Sequence, residues 1–396
     1  MSATRSLLRS RGHEPGRVGM VELFFDLVFV FAVTQLSHLL LEHPTPTGAL
    51  QTGLLLLAVW WVWIYTCWVT NWLDPERIPV RLCLFVMMAA GLLLSSSIPE
   101  AFGARGLAFA GAYVFMQVGR TLFFLWAVRD GPVNMTRNFQ RILCWFALSG
   151  ALWIGGGLDD EGGARLAWWA LALALELLGP WLYFWVPGLG RSRIADWNVE
   201  GGHLAERCAL FVIIALGESL LVSGATFAKL AWDPVAFAGL AVTLAGSVAM
   251  WWVYFDTGAE RASHRIRHAE DPGRQGRMAY TYLHALIVAG IIVVAVGDEL
   301  VLAHPDHLTG AGAAALIGGP ALYLAGNALF KWVTNDRPAP PLSHLVGLAL
   351  LAALAPVGLG HLVSALALSA ATTGVLVLVA AWESLALRRP VRAALR

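Results

Sequence analysis

Charge is scarce in this chain. Of its 396 residues only 13% are Asp, Glu, Lys or Arg, about half of the roughly 25% carried by soluble domains. Lysine is nearly missing: of the 27 basic residues, only Lys229 and Lys331 are lysines, a bias of the kind that a GC-rich bacterial genome produces. Net charge is +1 and no basic block is larger than a short loop. That excludes nucleic acid as a partner. Cysteine is limited to Cys67, Cys83, Cys144 and Cys208, all within or at the edge of apolar segments and none in a C-x-x-C pair. A disulfide framework and a thiolate metal site are thereby excluded. No P-loop, no G-x-G-x-x-G after a strand and no G-x-S-x-G occurs. Soluble enzyme classes drop out, and no cofactor is implied.

What is present is hydrophobicity, at 58% of residues. A helix needs about 20 apolar residues to cross hydrocarbon. Spans are predicted at 20–41, 49–70, 80–98, 106–128, 138–157, 165–186, 204–225, 234–256, 278–301, 311–333, 342–360 and 362–385. The expectation is an all-α polytopic transmembrane bundle of about twelve spans. The last two are divided only by the Gly358–His361 region and could instead form one re-entrant feature. The loops are short and carry turn signals such as Asp74-Pro75, Gly131-Pro132, Pro187-Gly188 and Asp233-Pro234. Arg5, Arg9, Arg11 and Arg17 precede the first run as in a signal peptide. That run is too long, contains Glu22 and Asp26, and lacks a small-residue cleavage site. It reads as a retained first helix.

Basic residues alternate between loops. The tail 1–19, every second loop and the tail 386–396 hold 22 of them, against Arg105, Arg165 and Lys229 on the other side. By the positive-inside rule both termini are cytoplasmic, in the inner membrane of a bacterial cell, with the lipid bilayer as partner. The 18 tryptophans suit either interfacial anchoring or lipid-facing bulk.

The chain also aligns with itself. Trp60-Trp61-Val62-Trp63 matches Trp251-Trp252-Val253-Tyr254. Ala90-Gly91 with Glu100 matches Ala289-Gly290 with Glu299. Gly119-Arg120-Thr121-Leu122-Phe123 matches Gly326-Asn327-Ala328-Leu329-Phe330, and Glu22 matches Glu206. Two six-helix repeats are expected, 20–190 and 204–385. Six is even, so they would share one orientation about an axis along the membrane normal.

Ionisable groups at membrane depth are expensive and mark functional hypotheses. They are Glu22, Asp26, Arg120, Glu176, Glu206, Arg207, Glu218 and His284, while Asp256 and Glu383 lie near cytoplasmic ends and are expected to be solvated. Glu22 and Asp26 share a helix face. Tyr113, Gln117 and Arg120 form one polar stripe. Asp26 and Arg120 each lie nine residues inside a loop arginine, roughly 13 Å at 1.5 Å per residue. Their counterparts in the second half, Leu210 and Asn327, are both uncharged. A direct Asp26–Arg120 ion pair is predicted, for helix orientation or for transport. Glu218 could carry a proton or bond a backbone carbonyl as a neutral acid. His203-x-x-Glu206 and His264-x-x-x-His268 have ligand spacing without a third ligand, and no metal site is expected. The candidate set is Glu22, Asp26, Tyr113, Gln117, Arg120, Glu206, Arg207, Glu218 and Asn327.

Val21-Glu22-Leu23-Phe24-Phe25-Asp26-Leu27-Val28-Phe29-Val30 resembles the bacterial low temperature requirement A family. So do Arg81, Tyr113 with Arg120, and His203-Leu204-Ala205-Glu206-Arg207 leading to Ile213-Ile214-Ala215-Leu216-Gly217-Glu218-Ser219. The resemblance covers nearly the whole chain. It implies an integral membrane protein of a family named for growth at low temperature, and assigns no reaction to any residue. The six-plus-six layout is also broadly similar to the lysosomal potassium/proton channel architecture. Three functions stay open: movement of a proton, monovalent ion or small polar solute through the bundle; a non-transporting role in cold or envelope adaptation; and an intramembrane enzyme acting on lipid.

Overall fold

In hydrocarbon a backbone must satisfy its own polar groups, and an open chain does so only as helices. Apolar runs bounded by Pro, Gly and Asx signals therefore become helices, and their caps follow the sequence. Thr45 accepts from the Gly48 amide and Asp233 from the Ala236 amide, each just before a proline in the first turn.

The computed structural model describes residues 6–9, 18–159, 163–193, 196–197, 199–256, 276–334 and 338–387. These form twelve principal helices: α1 (Met20–Glu42), α2 (Pro46–Trp72), α3 (Ile78–Ser97), α4 (Gly106–Ala127), α5 (Val133–Gly157) and α6 (Arg165–Trp181); then α7 (Gly201–Phe227), α8 (Pro234–Tyr254), α9 (Gly276–Ala303), α10 (Gly310–Thr334), α11 (Leu342–Leu359) and α12 (Ala365–Leu387). All but α5 and α6 are long and apolar enough to cross a membrane, by length and composition. The 17 residues of α6 sit at the short limit for a span, and α5 begins with polar turns containing Asn134, Arg137 and Arg141. The protein is a polytopic helical membrane bundle.

Two predicted details change. The sixth span ends at Trp181, not at 186, because Tyr183 and Phe184 adopt left-handed φ values of 52° and 47° just after Pro180. The re-entrant alternative also gives way. α11 and α12 are separate helices, joined by a turn in which His361 takes φ 53°.

The described residues fall into two compact units. One comprises those of Met1–Arg207 with Glu270–Arg277, the other those of Cys208–Ala269 with Met278–Arg396. In the first, α1 packs on α2 and α3, and α5 packs on α4 and α6. α2 is its most enclosed element: Trp60, Trp61, Trp63, Trp68 and Trp72 are all buried there. In the second, α9 and α10 form the tightest pair. A Cβ at Gly290 would stand 2.4 Å from the Tyr323 nitrogen, and one at Gly326 2.9 Å from the Ile287 nitrogen. Only glycine permits that approach, as at small-residue helix contacts in membranes generally.

Candidate functional site

The first helix enters with its carboxylates inward. Glu22 sits in the first turn of α1, where its Oε2 accepts from the Gly19 amide at 2.8 Å and from Arg9 Nη2 at 2.7 Å. Its Oε1 meets Arg207 Nη1 and His203 Nε2, both at 2.9 Å. One turn on, Asp26 Oδ1 accepts from Arg207 Nη2 at 2.6 Å and Trp63 Nε1 at 2.8 Å. Glu22, Asp26 and Arg207 are each wholly buried. The Arg207 guanidinium thus bridges both carboxylates in a fork that a lysine could not reproduce, and it lies 5.7 Å from the Trp63 ring centroid. Two carboxylates facing two arginines and a histidine make a dense, mutually neutralising cluster.

This overturns the predicted Asp26–Arg120 pair. The depths were matched correctly, because both groups reach the same turn of α2. They reach different faces of it: Asp26 takes Trp63, while Arg120 Nη1 donates to Val62 O at 3.0 Å and Thr66 Oγ1 at 3.1 Å. Spacing along one helix gives depth but not which neighbour stands across the gap.

Arg120 belongs to a second cluster. Its Nη2 donates to Gln117 Oε1, and its Nε has no hydrogen-bond partner. Gln117 Nε2 continues to Tyr113 Oη at 3.1 Å and to Glu176 Oε2 at 3.3 Å. Glu176, on α6, also accepts from Tyr113 Oη at 2.5 Å, Ser149 Oγ at 2.7 Å and Trp153 Nε1 at 3.0 Å. Tyr113, Gln117, Arg120 and Glu176 are all buried. Among the described residues no cation lies within ion-pair distance of Glu176, and no carboxylate lies within it of Arg120. The stripe on α4 is the one read from the sequence, with a π-helical turn at Phe115–Gly119 that carries Gln117. Such turns are frequent at functional sites. Glu176, its terminus, was recognised as an intramembrane charge but was not in the candidate set.

The remaining candidates scatter. Glu206 is exposed and accepts from the Val18 amide at 3.3 Å. Glu218 is buried on α7. Asn327 is buried and donates to Tyr323 O at 2.9 Å. His284 lies between Tyr254 Oη at 2.7 Å and Ala279 O at 2.9 Å, a satisfied core imidazole. Glu383, expected to be solvated, is instead buried. Its Oε2 lies 2.5 Å from Lys331 Nζ, which also donates to Val253 O at 2.7 Å. The nearness of Glu383 to a helix end concealed this, because Lys331 was counted as a loop cation and lies within α10. Asp298 escaped the reading altogether; it is buried, with Ser219 Oγ 3.2 Å from its Oδ2. Among the described residues no group of three His, Cys, Asp or Glu side chains is placed to hold a metal. His264 and His268 lie outside them.

Comparison with known proteins agrees with the motifs. The model of the bacterial low temperature requirement A protein matches residues 17–381. An uncharacterized protein of Rhizobium meliloti (strain 1021) is 42% identical over 389 residues, covering 98% of this chain and 94% of the relative. No solved structure matches. With a family match across almost its whole length and its motif residues Glu22, Asp26 and Arg207 joined in one buried cluster, the chain belongs to the bacterial low temperature requirement A family of membrane proteins.

Proposed function

We propose that the protein moves a proton or small monovalent ion across the bacterial inner membrane, with Glu176 as the group that takes up and releases charge. One observation carries the reading: a buried guanidinium and a buried carboxylate are held apart by a single amide, Gln117. Burying a charge is costly, and a directly bonded partner is the cheapest compensation. A purely structural pair would close into contact, as Lys331 and Glu383 do. Between Arg120 and Glu176 the chain instead places groups that can reverse their hydrogen bonds. An amide can turn over, and a phenol hydroxyl both donates and accepts. Tyr113 donates to Glu176 when it is ionised and can accept from it when it is protonated. The cluster around Glu22, with its charges already matched, is read as structural.

Two further elements belong to this reading. Both termini and the loop from Glu260 to Arg277 are taken as cytoplasmic on the arginine distribution. The chain is taken as a duplicated bundle of 20–190 and 204–385. In support, Val62 and Val253, aligned in the sequence, each accept a hydrogen bond from a cation on the fourth helix of their half.

Purified protein in liposomes loaded with a pH- or ion-sensitive dye, under an imposed potential, should show flux that Glu176→Gln abolishes in a folded variant. Wild-type protein without flux, or a folded variant with unchanged flux, ends the proposal. Cysteine labelling from outside the cell should reach a site engineered near Asp160 and miss one near Arg267; the reverse result inverts the topology.

A further inference from the structure

A second charged feature of the first unit has no part in that pathway. Where α5 begins, a cavity of about 420 Å³ opens against the turn that follows α6. Arg137, Arg141, Arg191 and Arg193 line it, with Asp196 the one acid among the lining residues. Four guanidinium groups against one carboxylate leave a net charge of three positive. Surface arginines usually stand in solvent, but Arg141 is buried to 7% exposure. Its Nε and Nη2 are fixed on Leu189 O at 2.9 and 2.7 Å. Its Nη1 is ion-paired with Asp196 Oδ2 at 3.6 Å, beyond hydrogen-bond length, and makes no hydrogen bond. Asp196 is itself engaged by the Arg193 amide at 2.8 Å. A buried donor at the wall of a cationic cavity thus keeps an unmade hydrogen bond that an anionic oxygen could take. The first turn of α5 contributes Val133 and Asn134 to the same wall, and a helix N-terminus favours an anion.

We propose that this cavity binds a phosphate-bearing anion, supplied by the headgroup of an anionic phospholipid. Arginine forks match phosphate oxygens in geometry as well as in charge. Basic pockets between membrane helices on the cytoplasmic side bind such headgroups. The surroundings favour a lipid over a soluble phosphate. Trp145 lies one turn further along α5 from Arg141, on the same face, and donates to Trp185 O at 3.2 Å. Trp181, Tyr183 and Trp185 all present exposed rings beside the turn. Amphipathic rings collect at headgroup level, which sets the cavity at the depth of lipid phosphate.

The test uses full-length protein in detergent, with thermal unfolding followed as lipid is added. Dioleoyl phosphatidylglycerol should raise the midpoint by several degrees, and dioleoyl phosphatidylcholine should not. Arg191→Gln combined with Arg193→Gln alters exposed residues only and should leave the lipid-free midpoint within a degree. It should weaken the response to phosphatidylglycerol about tenfold in concentration. Equal shifts from both lipids, or an unchanged response in the double variant, overturn the proposal. A full shift with millimolar inorganic phosphate alone overturns the lipid source and assigns the site to a soluble anion. Where the double variant fails to fold, Arg137→Gln alone is read by the same criteria.

Discussion

The two units solve one electrostatic problem in two ways. In the first, Arg120 of α4 donates to the Val62 carbonyl of α2, and a glutamate of α6, Glu176, waits beyond Gln117. In the second, Lys331 of α10 donates to the Val253 carbonyl of α8 and touches a glutamate of α12, Glu383, directly. Fourth-helix cation, second-helix carbonyl and sixth-helix glutamate recur, but the inserted amide does not. On the sequence alignment proposed above, Asn327 stands opposite Arg120, and Lys331 lies one turn beyond it. Contact favours permanence, because each charge cancels the other where it stands. Separation leaves each charge answerable to whatever the other carries at that moment. Under the proposed function, that difference is why the carrier of charge is sought in the first unit and not at Lys331 and Glu383.

Three measurements break or sharpen that contrast. The largest expected effect tests the cluster that both solutions leave aside. Arg207→Met strands Glu22 and Asp26 together, and should cost at least the 3–5 kcal/mol, in order of magnitude, found when one partner of a buried pair is removed. Loss of folded yield or a sharply lowered unfolding midpoint would show it; a midpoint close to wild type would mean that water reaches those carboxylates. Next comes a pair of double-mutant cycles. Lys331→Met with Glu383→Gln should show coupling of about 1–3 kcal/mol, as expected for side chains in contact. Arg120→Met with Glu176→Gln should show less than half of that, because an amide intervenes. Equal coupling in the two units would erase the distinction. The smallest effect is Glu176→Gln alone, which keeps an acceptor oxygen for part of its donor shell. It should cost about 1 kcal/mol of stability, so any loss of flux is a loss of chemistry and not of fold.

Much of this architecture was legible in the residues. The arginine alternation and the apolar runs yielded twelve helices because membrane crossing constrains length and composition so strongly. The Tyr113, Gln117 and Arg120 stripe was legible because those groups share a single helix. What failed was azimuth between helices. Asp26 and Arg207 are 181 positions apart, and no local periodicity says that α1 and the start of α7 face one another. Asp298 hid beside Glu299 near a helix end, where charge normally meets solvent. Trp63 was read as part of a tryptophan-rich motif, anchor or bulk. Its indole N–H on Asp26 is a polar role that only three-dimensional adjacency reveals.

That placement of tryptophan has an optical consequence. Trp60, Trp61 and Trp63 are each 1% exposed or less, whereas Trp232 and Trp251 are 71% and 44% exposed. Bromine carried on acyl chains quenches indole emission by contact, so brominated lipid would darken the outward-facing rings and leave the interior of α2 glowing. The surviving light would come in part from an indole bonded to Asp26 and lying near Arg207, an intrinsic lamp set within a buried cluster of charge.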